Sequence, residues 1–374
     1  MIFITKLSEC FFIIIFAAII LTLSSILIIS PVKTFSEKEN RALSGAPSFS
    51  IRSFTDGGFL TELSDFCADQ FPLRDYLTDI KAKCEIMLGK RENNGVCITE
   101  SILVDACEYK DLNTLEQNLA ALERFGATLK DQKTLLCAPR SVDVNSSLLG
   151  IDNSFSKGEI YSKINECDVN SVDILSPLIH AQSRSQKIWY ATDHHWTTNG
   201  AYIAYCELLK SWDIKPYASE FFDIDSVSHS FLGTTYSKSG VSEYTPDSIH
   251  LYKYDDGDFK LEYISENRVQ NGFYDISKLT CKDKYSVFLG GNYPRIIISK
   301  ESESRPKLLL IKDSFANSVI PFLALHFDID VIDPRYISEP LASKVNASDY
   351  DRILILCGAD TLVNDAGFGK WIGK

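Results

Sequence analysis

The segment PKLLLIKDSFANSVIPFL, residues Pro306–Leu323, carries the pattern that decides the fold. Its apolar run, Leu308 to Ile311, is typical of a short strand buried on both faces. A Lys-Asp-Ser triplet ends the run at Ser314, and a helix is expected to begin there, over 316–327. Strands that lead directly into helices are the unit of α/β folds, whose sites lie at the carboxyl ends of the strands.

The rest of the chain continues this alternation of buried strands and amphipathic helices. We predict an α/β fold with a largely parallel sheet and helices on both faces. Helical spacing predicts helices over 113–130 and 197–212, the second capped by Thr197 or Thr198. Short apolar runs predict strands over 133–140, 171–178, 187–196, 285–291, 295–300, 328–336 and 351–363.

Residues 213–280 differ in character, being aromatic, acidic and polar. The stretch YKYDDGDFKLEY, 252–263, predicts a β-hairpin that turns at Asp256-Gly257. We therefore expect a β-rich insertion on the α/β body at about 213–280.

The N-terminus carries an apolar stretch of 19 residues, Phe11 to Ile29, without a charged side chain. As a helix it is roughly 28 Å long, close to the thickness of a hydrocarbon core. The alternative is a cleaved signal peptide, but no A-x-A cleavage pattern follows the stretch. We predict an uncleaved single-pass signal anchor over 1–32, which places the soluble body outside the cytoplasm at the cell membrane.

Between the anchor and the α/β body we predict a linker and helical segment over 33–111, with the α/β domain over 112–374. The polar stretch that follows the anchor is interpreted as an extended linker or clamp. A helix over about Leu73 to Leu88 is expected to face the core through Leu77, Ile80, Cys84 and Leu88.

Charge and cysteine content exclude some classes of function. The net charge of −12 leaves no basic stripe for phosphates, so no nucleic-acid partner is expected. The ten cysteines form no C-x-x-C pair or zinc spacing, and no metal or cofactor is predicted. Cys137 and Cys357 lie inside apolar runs and are expected to be buried free thiols; no disulfide is assigned.

Three polar segments carry candidate chemistry. Ser314 follows a buried strand, where its hydroxyl is a candidate nucleophile and its N–H a candidate oxyanion donor; the alternative is a helix cap. The stretch YATDHHWTTNGAY offers Asp193 and His195 as the acid and base that a serine nucleophile needs. In FLGGNYP, Asn292 is a candidate oxyanion donor or simply part of a turn.

These motifs together resemble the DHHW family of exported bacterial proteins. The resemblance is carried by TDHHWTTNGAY, KDSFANS, VFLGGN, DQFPLRD and EKENRALSGAPSFS, and runs from about Glu37 to Tyr336. That family is related to the SGNH-hydrolase-like domain of alginate-type polysaccharide O-acetyltransferases. The resemblance implies a flavodoxin-like SGNH fold in which the Asp-His pair precedes the serine.

Carried over by position, Ser314 matches the nucleophile, Asp193 and His195 match the Asp-x-His pair, and Asn292 matches the oxyanion-hole asparagine. The substrate is expected to contact Trp196, His194, Arg335 and Tyr336. Two departures stand out: Lys312 replaces the glycine of Gly-Asp-Ser, and Asp-x-His replaces Asp-x-x-His. The second departure leaves His194 open as an alternative base.

The resemblance implies an O-acetyltransferase or O-acetylesterase that acts on a cell-envelope or secreted polysaccharide through an acyl-serine. A transferase outside the cytoplasm would need a membrane-bound partner that delivers acyl groups. One alternative is a non-catalytic polysaccharide-binding or scaffold protein on the same fold. Another is a metal-dependent phosphoesterase, which would need further carboxylates from among Asp173, Asp223, Asp225 and Asp313.

Overall fold

The structure is a computed structural model that describes residues 2–36, 38–39, 41–105, 112–129, 133–149, 154–300, 304–337, 341 and 345–372. It forms two compact units. The first comprises Met1–Lys90 and Gly240–Glu243, and the second comprises Arg91–Ser239 and Tyr244–Lys374.

The helices are α1 (Ile2–Ile29), α2 (Ile51–Thr55), α3 (Gly58–Asp69), α4 (Arg74–Met87), α5 (Asn113–Thr128), α6 (Ser141–Leu149), α7 (Ser154–Glu166), α8 (Leu175–Ser183), α9 (Thr198–Ser211), α10 (Thr234–Ser239), α11 (Ile320–Leu323), α12 (Ala359–Asn364) and α13 (Phe368–Ile372). The strands are β1 (Phe35–Ser36), β2 (Arg41–Ala42), β3 (Glu92–Asn93), β4 (Val96–Ile98), β5 (Leu103–Asp105), β6 (Lys133–Ala138), β7 (Asn170–Ser171), β8 (Asp223–Phe231), β9 (Asp247–Lys253), β10 (Phe259–Tyr263), β11 (Arg268–Asn271), β12 (Arg295–Lys300), β13 (Lys307–Lys312), β14 (Asp328–Ile332) and β15 (Arg352–Gly358).

The second unit is built on an eight-stranded sheet with the order β11-β10-β12-β14-β13-β15-β6-β7. Strands β14, β13, β15, β6 and β7 are parallel. Strand β12 runs antiparallel to β14, and β10 antiparallel to both β12 and β11. The predicted α/β class with a largely parallel sheet is confirmed. Strand β13, which leads to Ser314, lies between β14 and β15 in the interior of this sheet.

Alternate side chains of the central strands enter two separate cores, one on each face of the sheet. Leu308 and Leu310 pack with α8, α9 and α11, whereas Leu309 and Ile311 pack with α5, α7, α12 and α13. Because both faces are covered, these strands consist of continuous apolar runs rather than alternating polar and apolar residues. The prediction of helices on both faces is therefore confirmed.

Several local predictions are wrong. The predicted hairpin over 252–263 does not form, since β9 pairs with β8 and β10 joins β11 and β12 in the main sheet. Residues 285–291 form the end of a 3-10 turn followed by an isolated bridge at Phe288 and a tight turn, and the second half of 171–178 is helical. The stretch 187–196 contributes one isolated bridge, between Trp189 and Trp196. A short apolar run does not by itself distinguish a strand from a turn or a buried helix, and tertiary packing selects which strands pair.

The first unit contains the apolar helix α1, whose residues Phe11–Ile29 are long and apolar enough to cross a membrane. In the same unit, the segments around residues 37–50 and 69–75 are joined by hydrogen bonds. Asp69 accepts hydrogen bonds from Arg41 Nη1 and Nη2 at 3.0 and 2.5 Å, and from the Ser44 N–H at 2.9 Å. The polar stretch after the apolar helix thus forms a clamp, one of the two forms that the sequence allowed.

Helix α4 forms where predicted, but its expected core face is exposed. Leu77, Ile80 and Leu88 are 45, 42 and 88% exposed, and Cys84 is also exposed. The buried residue of this helix is Ala82. Helical periodicity predicts the helix and its apolar stripe, but it does not determine whether another element covers that stripe.

Cysteine side chains are described at eight of the ten positions, and all eight are free thiols. Cys137 and Cys357 are buried on adjacent strands, as expected. Burial raises the pKa of both thiols, so they remain protonated and unreactive. Cys107 lies outside the described residues.

Candidate active site

Asp247, at the start of β9, forms hydrogen bonds with the turn that carries Asp193 and His195. This buried carboxylate accepts hydrogen bonds from the backbone N–H groups of Ala191 and Thr192, at 3.0 and 2.8 Å, and from the Thr192 hydroxyl at 2.7 Å. Thr197 then caps α9 through a hydrogen bond from the Gly200 N–H. The hydrogen bonds of Asp247 and Thr197 therefore fix both ends of the turn independently of the Asp193 and His195 side chains.

Asp193, His195 and Ser314 form one continuous chain of hydrogen bonds. His195 Nδ1 lies 2.6 Å from Asp193 Oδ1, and His195 Nε2 lies 2.8 Å from Ser314 Oγ. The backbone N–H of His195 also donates to Asp193 Oδ1, at 3.0 Å. Asp193 and His195 are 2 and 5% exposed, whereas Ser314 is half-buried. The order carboxylate, imidazole, hydroxyl is that of a serine triad.

The second oxygen of Asp193 is bound by Thr234 at the start of α10. The Thr234 N–H and hydroxyl donate to Asp193 Oδ2 at 2.7 and 2.9 Å. Burial alone would raise the pKa of Asp193, but His194, His195 and these hydrogen bonds outweigh it and hold the pKa well below its usual range. Asp193 is therefore a permanent carboxylate that favours a proton on His195 Nδ1.

The approach of Thr234 to Asp193 requires a residue without a side chain at position 233. A Cβ atom built on Gly233 would lie 2.3 Å from Asp193 Oδ2 and 2.4 Å from Asp193 Cβ. Atoms cannot come so close, so any larger residue would displace Asp193 or α10.

Ser314 begins a 3-10 turn, Ser314–Ser318, which precedes the four-residue helix α11. The long helix predicted over 316–327 is wrong: a 3-10 turn, Ser314–Ser318, precedes the short helix α11, and Pro321 has no N–H with which to continue an α-helical ladder. The capping role is filled by Asp313, whose Oδ1 accepts from the Phe315 N–H at 3.0 Å. The Ser314 hydroxyl is thereby left for His195, and among the described residues none accepts a hydrogen bond from the Ser314 N–H.

Tyr285 packs against the imidazole that joins the two turns. Its ring stacks on His195 with centroids 3.9 Å apart and planes 7° apart. The Tyr285 hydroxyl donates to the Ser314 carbonyl at 3.2 Å and lies 3.1 Å from Ser318 Oγ. Burial raises the pKa of this phenol well above its usual value, so the hydroxyl stays a donor. Tyr285 therefore supports both the base and the backbone of the serine.

Asn292 is joined to the serine turn through a buried polar cluster. Its Oδ1 accepts hydrogen bonds from Lys312 Nζ at 2.9 Å and from Asn317 Nδ2 at 3.1 Å. Lys312 also contacts Asp333 Oδ2 at 3.3 Å. Burial lowers the pKa of Lys312, and Asp333 opposes this effect. Asn317 belongs to the 3-10 turn of Ser314, so Asn292 and Ser314 share one network.

Of the predicted substrate contacts, His194 lies beside the triad and Tyr336 is exposed. His194 is half-buried and its Nδ1 lies 2.6 Å from the Thr234 hydroxyl, beside the triad but not between Asp193 and Ser314. Desolvation and the neighbouring His195 lower the pKa of His194 to about 4. Tyr336 is 52% exposed and lies 5.6 Å beneath the Arg335 guanidinium.

The expected substrate contact at Trp196 is wrong, whereas the one at Arg335 stays a prediction. Trp196 is fully buried, and its indole N–H donates to the Phe315 carbonyl and Ser318 Oγ at 3.1 and 3.0 Å. It therefore joins the two turns and is closed to a sugar. Arg335 makes a two-pronged ion pair with Asp333, at 2.9 and 2.7 Å, which directs its guanidinium to the cluster behind Asn292.

Among the described residues, Asp193, His194 and His195 also form a group that could offer three metal ligands within 4.8 Å of one another. Both ring nitrogens of His195 are already bonded, to Asp193 and to Ser314. A metal on this group would have to replace one of those bonds. Among the described residues, none of the further carboxylates of the phosphoesterase alternative belongs to this group: Asp313 accepts hydrogen bonds from Gly358 and Thr361, and Asp225 pairs with Lys253.

A family model described as DHHW protein matches residues 144–332, just over half of the chain, and this region includes all three triad residues. The chain belongs to the DHHW family. No curated protein sequence matches it.

Solved structures resemble this DHHW-family chain in fold. A DHHW family protein from Eubacterium siraeum is 19% identical with a TM-score of 0.62, covering 75% of this chain and 96% of that one. Bacillus cereus PatB1 with a sulfonyl adduct is 17% identical with a TM-score of 0.59, covering 74 and 98%. The O-acetyltransferase domain of Pseudomonas putida AlgJ has a TM-score of 0.45 at 14% identity, covering 72 and 93%. The first two likenesses, together with the sheet, show that this chain shares its α/β fold with those proteins.

Sequence reasoning missed the residues that support the site of this DHHW-family chain. Thr234 and Asp247 lie in the predicted insertion over 213–280, and Tyr285 lies in the predicted strand over 285–291. The sequence shows Lys312 as a departure from Gly-Asp-Ser but does not reveal its hydrogen bond to Asn292. A charged residue at the end of a buried strand was the one available signal, since a buried lysine requires partners.

Proposed function

We propose that this protein is a serine acyl-ester enzyme, an O-acetyltransferase or O-acetylesterase that works through an acyl-serine. The observation that carries the proposal is the unbroken hydrogen-bond chain from Asp193 through His195 to Ser314. A half-buried serine hydroxyl at 2.8 Å from an imidazole nitrogen is poised to lose its proton as it attacks.

In the first half-reaction, Ser314 Oγ attacks the acyl carbonyl carbon while its proton passes to His195 Nε2. The carbonyl oxygen becomes an oxyanion, which the Ser314 N–H and the Asn292 amide are proposed to bind. Collapse of the tetrahedral intermediate breaks the bond to the leaving oxygen, which takes the proton from His195. Asp193, as a fixed carboxylate, stabilises the imidazolium in between.

In the second half-reaction, water or a sugar hydroxyl gives its proton to His195 Nε2 and attacks the carbonyl carbon of the acyl-serine. The bond from that carbon to Ser314 Oγ then breaks, and Ser314 Oγ takes the proton back from His195. Water as acceptor makes the protein an esterase, and a polysaccharide hydroxyl makes it a transferase. The family resemblance favours a cell-envelope or secreted polysaccharide as substrate. The sulfonyl adduct described for PatB1 is also consistent with an activated nucleophile on this fold.

Apolar helix α1 supports a further part of the proposal, a single-pass membrane anchor with the catalytic body outside the cytoplasm. A transferase in that position is separated from cytosolic acyl donors. It therefore requires a membrane-bound partner that presents the acyl group on the outer side.

The test uses the full-length chain in detergent micelles, with p-nitrophenyl acetate as acyl donor and an oligosaccharide of the envelope as acceptor. The proposal predicts nitrophenol release, with acetate as product for an esterase or O-acetylated oligosaccharide for a transferase. Both products should vanish in Ser314→Ala. Hydrolysis of a phosphodiester to an alcohol and a phosphomonoester that survives Ser314→Ala and depends on added Mn²⁺ or Zn²⁺ would instead establish the metal-dependent alternative.

A further inference from the structure

Lys312 presents a buried cation directly before Asp313 and Ser314. Its residue is 2% exposed, and a buried ammonium is costly unless every N–H finds an acceptor. Its three donors face three oxygens, Asn292 Oδ1 at 2.9 Å, Asn317 Oδ1 at 2.8 Å and Asp333 Oδ2 at 3.3 Å. The ammonium is therefore fully occupied, and the groups around it are held by charge-assisted bonds.

This arrangement determines which way the Asn292 amide points. Lysine has donors and no acceptor, so the amide atom that faces it must be the oxygen. The same oxygen accepts from Asn317 Nδ2 at 3.1 Å, and a flipped amide would place donors against both neighbours. Asn292 Nδ2 consequently faces away from Lys312, and among the described residues none accepts a hydrogen bond from it.

We propose that Lys312 is a positioning residue that fixes the Asn292 amide with its N–H donors directed at the oxyanion that forms on Ser314. The inference rests on the proposed acyl-serine function. Asn317, which bonds to both Lys312 and Asn292, belongs to the turn that begins at Ser314 and so fixes the register between donor and nucleophile. Donors fixed in advance need no reorientation when the negative charge develops. The lysine in place of glycine before Asp-Ser thus gains a function.

The test is a double-mutant cycle between Lys312→Met and Asn292→Ala, measured as kcat and KM for p-nitrophenyl acetate. Methionine keeps the apolar stem, and Asp333 retains its ion pair with Arg335 at 2.7 Å, so no carboxylate is left alone. Lys312→Met is expected to lower kcat about 10- to 100-fold with KM within about twofold, comparable to the loss of one oxyanion donor. In the Asn292→Ala background the same change should cost less than about twofold.

Equal losses in both backgrounds would overturn the proposal, because Lys312 would then act independently of Asn292. A change confined to KM would also overturn it. If Lys312→Met does not fold, Asn317→Ser replaces it in the cycle, since it removes the second bond to Asn292 Oδ1. That variant should lower kcat in the wild-type background and have little effect beside Asn292→Ala.

Crystal structures of the wild type and of Lys312→Met separate this inference from the proposed function. The Asn292 amide should be fixed with Oδ1 towards Lys312 in the wild type, and rotated or disordered in the variant. An amide that stays fixed without Lys312 would contradict the positioning role. A wild type that shows the fixed amide but no esterase activity would instead contradict the proposed function alone.

Discussion

The turn of residues 192–196 and the turn of residues 314–318 differ in how their polar atoms are bonded. In the first, both carboxylate oxygens of Asp193 and both ring nitrogens of His195 have partners within the chain. In the second, the Ser314 N–H has no acceptor among the described residues, and its hydroxyl has only the imidazole. One turn is built to hold a base still, whereas the other presents a nucleophile and a donor to an incoming group. The predictions below test this division.

The largest effect is expected at the contact between the two turns. Ser314→Ala and His195→Ala should each lower kcat for p-nitrophenyl acetate by about 10⁴- to 10⁶-fold, because members of a triad act as one unit. The double variant should be little worse than either single one. Ser176→Ala, on the exposed side of α8, is the control and should keep full activity. Additive losses in the double variant would contradict a shared proton-transfer step.

A smaller effect is expected when the first turn is disturbed from outside. Gly233→Ala places a Cβ atom 2.3 Å from Asp193 Oδ2, so Asp193 must shift. We expect a loss of about 100-fold in kcat and of about 1–3 kcal/mol in the free energy of unfolding. Gly257→Ala, whose Cβ would meet no atom closer than 3.9 Å, is the matched control. Wild-type kcat in Gly233→Ala would show that the Asp193 position is not needed.

Tyr285 joins the turns, and its ring and hydroxyl can be removed separately. Tyr285→Phe keeps the stack on His195 and loses the bonds to Ser314 and Ser318, which is worth about 1 kcal/mol or roughly fivefold in kcat. Tyr285→Leu also loses the stack and should cost about tenfold or more. Steady-state kinetics of the two variants at one pH make the comparison. Equal losses would mean that the ring contributes nothing beyond its hydroxyl.

The smallest effect on turnover is expected at His194, which lies beside the proton path. His194→Gln should change kcat by less than about threefold, whereas a loss as large as that of His195→Ala would identify His194 as the base.

The effect of His194 should appear instead in the pH dependence of stability. The pKa of His194 in the folded chain, about 4, lies below the ordinary histidine value of 6.5, so the unfolded chain binds more protons between these values. The stabilising contribution is therefore present above about pH 6.5 and is lost as the pH falls towards 4. Urea unfolding at pH 7, 5.5 and 4.5 should show a shallower decline for His194→Gln than for the wild type. Identical declines would contradict the lowered pKa.

The sequence predicted the parts of this molecule in which pattern and chemistry coincide. Continuous apolar runs gave the parallel strands, and polar residues directly after a buried strand gave Ser314. The partners of the base were not predictable, since Thr234 and Tyr285 reach it through folding of segments far along the chain. Strand β10 was assigned to a hairpin because Asp256-Gly257 is a turn signal, whereas its pairing with β12 depends on a register that only tertiary packing selects.

The most direct test of the central claim is covalent capture of Ser314. The full-length chain, its Ser314→Ala variant and its His195→Ala variant are treated with a fluorophosphonate, and intact mass and peptide mapping locate the adduct. The account predicts one adduct on the wild type, mapped to Ser314, none on Ser314→Ala, and a rate on His195→Ala lower by at least about 100-fold. An unmodified wild type, or an adduct at another residue, would contradict the triad as the catalytic centre.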